Sequence, residues 1–166
     1  MIQQVSEIDG GDFRHVLGHF PTGVVAITST CPDGRPAGLV IGSFTSVSLD
    51  PPLVGFFPQK TSTSWPRIRD AGAFCINILG HDQEDLGRRF AVSGGDKFAD
   101  LEWRRTPSGH PVLPRVPAWI DCVLAREDDA GDHWMVLAKV TALSADPGRG
   151  GPLVFYKGGY AKLAES

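Results

Sequence analysis

Cysteine is scarce in this 166-residue chain: Cys31, Cys75 and Cys122 are odd in number, widely spaced and never arranged as CxxC. That excludes a disulfide framework and a zinc site, and it makes a reducing cytoplasm the expected compartment. Positive charge is not in excess either, since 16 Lys and Arg stand against 19 Asp and Glu for a formal net charge of −3. Without a basic field, nucleic acid is not an expected partner. No apolar run is long enough to span a bilayer and nothing reads as a signal peptide, so no membrane association is expected. The nucleotide and nucleophile signatures GxGxxG after a strand, GxxxxGK[ST] and GxSxG are missing as well. Their absence disfavours a dinucleotide fold, a P-loop hydrolase and an α/β-hydrolase.

What is present is an ordinary globular composition, 42% hydrophobic and 21% charged. The length suits one domain, residues 1–166, able to bury roughly 70% of its unfolded surface. Residues 1–11 read as a flexible arm. Asp12 then caps a helix on which Phe13, Val16, Leu17 and Phe20 share one face, and Pro21 ends it. His15 and His19 lie opposite that stripe, on a solvated polar face rather than at a metal.

Residues 23–30 are β-branched, and Cys31-Pro-Asp-Gly-Arg35 is a turn that returns the chain as an antiparallel hairpin. Strands over 38–47 and 53–57 follow, joined at the Pro51-Pro52 corner. Ser62, Thr63 or Ser64 caps a helix carrying Trp65, Ile68 and Ala71, and Gly72 stops it. Residues 73–79 form a buried strand, and 82–90 a short helix with Leu86 and Phe90 inward. Residues 94–117 form a long proline-rich loop with one strand around Trp103. A hairpin of strands 119–127 and 133–145 and a last strand at 153–156 complete the chain. About seven closely successive strands with three inserted helices give a mainly β class, drawn as an antiparallel barrel with helices over its openings.

Residues 36–65 carry the chemistry. Glycine weakens a strand unless something must approach the backbone, and here Gly38, Gly42, Ser43, Ser46 and Ser48 punctuate an apolar run. A flat, phosphorylated ligand is the expected visitor. Lys60, Thr61, Ser62 and Ser64 stand at a helix start, where free N–H groups and the dipole favour an anion and Lys60 adds the counter-charge. Taken alone, those hydroxyls read first as helix caps. Gly42-Ser43-Phe44 changes the balance, because an aromatic platform, an open backbone and a phosphate cradle together suit flavin mononucleotide. Arg88 or Arg89 either closes over the phosphate or sits exposed on an amphipathic helix. Gly131-Asp132-His133 turns a hairpin and offers His133 to a second ligand, unless the histidine is incidental to the turn. Phe155, Tyr156, Lys157 and Gly158 form a lip over a pocket or a frayed barrel edge.

The order of these signals resembles the short-chain flavin reductase family, the FMN-binding split-barrel reductases of two-component flavin-dependent monooxygenases. The matching stretches are FRHVLGHFPTGVVAITS, GSFTSVSLDPPLVGF, KTSTSWPRI, FCINIL, GDHWMVLAKV and PLVFYKGGY, which span about residues 13–160. SFxSVSLDPPL and the later GDH are the distinguishing pair. The resemblance implies an antiparallel split β-barrel and a homodimer with flavin near the subunit interface. Carried onto matching positions, Val40, Ile41, Gly42, Ser43 and Phe44 offer backbone to the isoalloxazine edge, and Ser46 and Val47 line the ribityl chain. Lys60, Thr61, Ser62 and Thr63 surround the phosphate, with Arg89 in reach. His133, Phe155, Tyr156, Lys157 and Gly158 hold the nicotinamide nucleotide. Relatives often carry small hydroxyl or amide side chains where this chain has Val40, Ile41 and Gly42, so contacts there are expected from backbone.

The implied activity is that of an NAD(P)H:flavin oxidoreductase passing hydride to FMN, or FAD, with no catalytic side chain and no metal. Its implied partner is a reduced-flavin-dependent oxygenase acting on an aromatic substrate and reached by diffusible flavin. FMN against FAD and NADH against NADPH stay open in the sequence. An FMN-binding electron carrier on the same barrel and a barrel without flavin are the other readings.

Overall fold

The computed structural model describes residues 8–164. Its elements follow in the order α1 (Gly10–Leu17), β1 (Thr22–Gly23), β2 (Val25–Thr30), β3 (Pro36–Ile41), β4 (Thr45–Leu49), β5 (Pro52–Phe56), α2 (Trp65–Ala71) and β6 (Ala73–Ile78). Then come α3 (Glu84–Ala91), β7 (Arg104–Arg105), β8 (Pro111–Val112), β9 (Ala118–Ala130), β10 (His133–Ala145), β11 (Leu153–Tyr156) and β12 (Gly159–Lys162). The hairpins sit where turn chemistry puts them. Gly34 at φ 77° closes β2 onto β3, and Gly131 at φ 70° closes β9 onto β10, both in the left-handed region that glycine tolerates.

Seven strands pair antiparallel in the order β3-β2-β6-β9-β10-β5-β4. The two edges, β3 and β4, are separated in the chain by residues 42–44 alone. Three residues reach no more than about 14 Å, so the edges are held close and the sheet must curl into a barrel with a seam. Residues 38–47, expected as one strand, are therefore two strands on opposite edges. The crossing is fastened by Ser43, whose Oγ accepts the Phe57 N–H at 2.9 Å just past β5.

Inside the barrel, Val25, Ile27, Phe56, Phe74 and Ile76 meet Trp65 and Ile68 of α2. Trp65, Phe56 and Phe74 make three edge-to-face contacts with centroids 5.4, 5.6 and 6.1 Å apart. Each adds about 0.5–1.5 kcal/mol beyond area burial. The alternate residues Ala26 and Cys75 face outward, into a second cluster with Leu79, Phe90 and Phe98. Residues 94–117 are the cover of that outer face. They are clamped by buried Asn77, whose Oδ1 accepts the Leu113 N–H at 2.8 Å and whose Nδ2 donates to Thr28 Oγ1 at 2.9 Å. The strand expected near Trp103 is half of the short β7–β8 hairpin.

Four further differences concern the periphery. The arm expected over residues 1–11 lies outside the described residues as far as residue 7, and Gly10 and Gly11 are already helical. Asp9, not Asp12, caps α1, its Oδ2 accepting the Gly11 N–H at 2.8 Å. The helix ends at Leu17, before the expected stop at Pro21, and the apolar residues expected on its one face, Phe13, Val16, Leu17 and Phe20, are all exposed, Phe20 by 75%. Finally, the chain turns back after β11 at Lys157 and Gly158 (φ 48° and 79°) and adds β12, giving a three-stranded sheet β1-β11-β12.

Candidate functional site

The seam opens into a cleft of about 910 Å³. One wall is the end of β3 and the crossing, Leu39 to Ser43, and the opposite side is the hydroxyl-rich turn of Thr61, Ser62, Thr63 and Ser64. The end of α3 contributes Phe90 to Ser93, and His133 lines the cleft as well. Val40, Ile41, Gly42, Ser43, Thr61, Ser62, Thr63 and His133 are thus brought together from sequence-distant segments. Gly42 is exposed at the cleft, and a Cβ there would stand 3.1 Å from Thr22 Oγ1. Gly38 is different: the space beside it is filled by the Phe90 ring, so its missing side chain serves packing and not a ligand.

Of the three hydroxyls expected to cap α2, Ser62 does so, its Oγ accepting the Trp65 N–H at 3.1 Å. Ser64 occupies the cap position without a side-chain cap bond and is engaged by Lys97 instead. Thr63 Oγ1 lies 3.4 Å from Ser93 Oγ.

The cations at the cleft are not those the sequence singles out. Lys60 Nζ is 2.6 Å from Asp129 Oδ2 and 4.9 Å over the Trp134 ring, and the hydrogen bond it donates holds the Asp129 carboxyl below the usual range. Arg89 donates to the Ala99 carbonyl, and Arg88 pairs with Glu84 at 2.6 Å. Lys97 lines the cleft in their place. Its ammonium donates to Gly38 O at 3.0 Å, Phe90 O at 3.1 Å and Ser64 Oγ at 3.3 Å. It has no carboxylate partner among the described residues, and burial pushes its pKa down. The sequence signal for it is faint, a lysine between the Gly94-Gly95 pair and Phe98.

His133 Nδ1 is 2.7 Å from Asp132 Oδ1, and that hydrogen bond holds the Asp132 carboxyl below its ordinary value. The proton therefore belongs on Nδ1, which leaves Nε2 an acceptor in the neutral ring. Phe44 packs on the barrel core, and Ser46 and Val47 lie exposed on the edge strand β4. Phe155, Tyr156, Lys157 and Gly158 are exposed on the β11–β12 hairpin, outside the cleft of one chain. Thr22 links the two regions, pairing with Phe155 and touching the Gly42 position. Thiol chemistry has no place here: burial pushes the Cys75 and Cys122 thiols up, Cys122 to about 12.

The model of the flavin reductase like domain matches residues 17–164. The chain belongs to the flavin reductase-like family. A flavin reductase of Pseudomonas putida is 48% identical over 96% of this chain and 93% of its own. The reductase subunit HsaB of a flavin-dependent monooxygenase of Rhodococcus jostii is 46% identical over 94% of this chain and 79% of its own. Among solved structures, nitrilotriacetate monooxygenase component B of Mycobacterium thermoresistibile superposes with a TM-score of 0.88 at 44% identity, covering 92% of this chain and 85% of that one. The split-barrel fold of flavin reductases is therefore the fold of this reductase, and oxidoreduction of flavin is its chemistry.

Proposed function

We propose that this reductase holds FMN in the seam cleft, accepts NADH or NADPH beside it, and releases reduced flavin to an oxygenase component. The observation that carries the reading is that Gly42, Ser62 and Lys97 line one cleft. An open backbone suits the edge of a planar ring, and hydroxyls beside a cation without a carboxylate suit a phosphate. Bound flavin supplies the hydride-accepting chemistry, and the protein supplies position and electrostatics. Backbone from Val40 to Phe44 orients the ring, while Thr61, Ser62 and Thr63 surround the phosphate. The phosphate's charge is matched by Lys97, because Lys60 and Arg89 are engaged elsewhere. His133 positions the nicotinamide and transfers no proton. Holding two rings at reacting distance is worth up to about 7–11 kcal/mol in well-aligned systems, so positioning alone is a sufficient role.

His133→Ala tests the division of labour. The nicotinamide KM rises roughly fivefold to tenfold, as for one lost hydrogen bond of about 1–1.5 kcal/mol, while flavin affinity holds. Equal losses of both would put His133 against the flavin and overturn the assignment.

A homodimer belongs to the same reading. The exposed stripe on α1 and Leu49, 94% exposed at the end of β4, are apolar surface that a second copy would cover. Ser46, Val47 and the Phe155 to Gly158 lip then act at that boundary. Light scattering should give twice the 17.8 kDa chain mass; the chain mass alone would remove the dimer. Three buried free thiols suit a reducing cytoplasm, and no helix among the described residues is long and apolar enough to cross a membrane.

A further inference from the structure

The consecutive residues Ala91 to Asp96 are all exposed and run between two buried rings, Phe90 and Phe98. The ends of this strap are fixed. Phe90 sits in the outer core, and Lys97 is tied to Gly38 O, Phe90 O and Ser64 Oγ. The middle is not fixed in the same way. Gly94 and Gly95 stand at φ 74° and 73°, and a Cβ on either would meet nothing within 4 Å. Adjacent glycines with open space around them absorb large backbone changes at little steric cost, which is what a hinge needs. Among the described residues, no backbone hydrogen bond outside the helices and strands engages residues 92–96. Asp96 is engaged with its own loop, Oδ1 accepting the Phe98 N–H at 3.0 Å. One side-chain contact joins the strap to the hydroxyl-rich turn, Ser93 Oγ to Thr63 Oγ1 at 3.4 Å, and a hydroxyl pair at that separation is a weak tie. Val92 and Ser93 line the seam cleft, whereas Gly94, Gly95 and Asp96 line a separate cavity of about 290 Å³. The strap is thus a thin wall with room beside it.

We propose that residues 91–96 are a gate at the phosphate end of the seam cleft, latched by Ser93 on Thr63 and hinged at Gly94 and Gly95, and that this gate sets how fast flavin enters and leaves. The proposal rests on the flavin reading of the seam cleft. A reductase that hands on reduced flavin must open at every turnover, and a single long hydroxyl contact parts without disturbing the Phe90 and Phe98 anchors or the ties of Lys97. The latch closes over the empty and the filled cleft alike. Breaking it therefore speeds entry and release together and leaves their ratio, the affinity, nearly unchanged.

The experiment follows FMN association and release by stopped flow. In Ser93→Ala both rate constants rise by about threefold or more, as for one lost hydroxyl contact, with Kd within about twofold. A rise in release alone, with Kd weakened to match, would make Ser93 a contact to the flavin and overturn the gate, as would unchanged rates. The second measurement locks the latch. Thr63→Cys/Ser93→Cys is compared with itself before and after diamide, which takes two electrons and two protons from the thiol pair, so the effect of replacing Thr63 cancels. Joining the cysteines slows both rates by about tenfold or more, slows steady-state flavin reduction in parallel, and is reversed by dithiothreitol. The three native thiols are buried, and wild-type protein treated with diamide gives the control. Cysteines that fail to join would show that the two sides do not meet, and a joined pair that exchanges FMN as fast as the reduced one would leave the strap without a gating role; either overturns the proposal. Wild-type protein that binds no flavin would instead defeat the reading of the seam cleft itself, so the two failures are separable.

Discussion

Lys97→Met weakens FMN and FAD together, by roughly tenfold to a hundredfold, because both lose the same charge-assisted contact of about 1.5–3 kcal/mol. pH supplies a second readout. Burial favours the neutral amine, so the Lys97 pKa lies below the 10.5 of an ordinary lysine. Its cation is lost as pH rises through that lowered value. Wild-type flavin affinity accordingly falls on the alkaline side earlier than an exposed lysine would make it, and the Met variant shows no such fall. Folding stability moves the other way. Between the lowered pKa and 10.5 the unfolded chain holds the proton that the folded chain has released, so this group favours folding more as pH rises. Because Lys97 also ties Gly38 O and Phe90 O, the melting temperature of the flavin-free variant is measured beside its affinity. A lowered melting temperature with unchanged flavin affinity would return Lys97 to a purely structural tie.

The same lysine shows where the sequence stops speaking. Strands closed by their own turns are legible, since the β-rich runs flanking Gly34 and Gly131 and the φ that each turn needs are local properties. The break at residues 42–44 is not local. It exists because β3 and β4 are the two edges of one curled sheet, and a run of β-forming residues, even one punctuated by glycine and serine, reads as one strand until that closure is known. The α1 stripe is equally legible as a period and illegible as a destination, because periodicity says which residues share a face and not what the face meets. Charge fares worst. Lys60 adjoins the hydroxyl turn in sequence yet reaches back to Asp129, whereas Lys97 arrives at Ser64 from 33 residues away. The segments that build the cleft were readable; the direction of each long cation was not.

Gly38→Ala carries the largest expected cost to folding. An added Cβ would stand 2.7 Å from Phe90 Cδ1, inside any real contact distance. The ring cannot step aside freely, since Phe90 is 1% exposed and packs edge-to-face on Phe98 at 5.2 Å. Overpacking of this kind costs about 1–3 kcal/mol, while relief of the strand glycine returns only about 0.5–1. At about 2–4 °C per kcal/mol for a chain of this size, the melting temperature falls by several degrees. Gly38→Val deepens the loss. Phe90→Leu alone also destabilises, by removing buried ring surface, but in the double variant it makes room for the new methyl. The pair should therefore cost less than the two single changes summed, with a coupling of about 1 kcal/mol or more in a double-mutant cycle. Additive losses would mean that the ring is not what excludes a side chain at position 38. A ligand-driven need for glycine makes the opposite forecast, flavin affinity lost with the melting temperature intact, so one thermal scan and one titration on Gly38→Ala decide between helix packing and ligand approach.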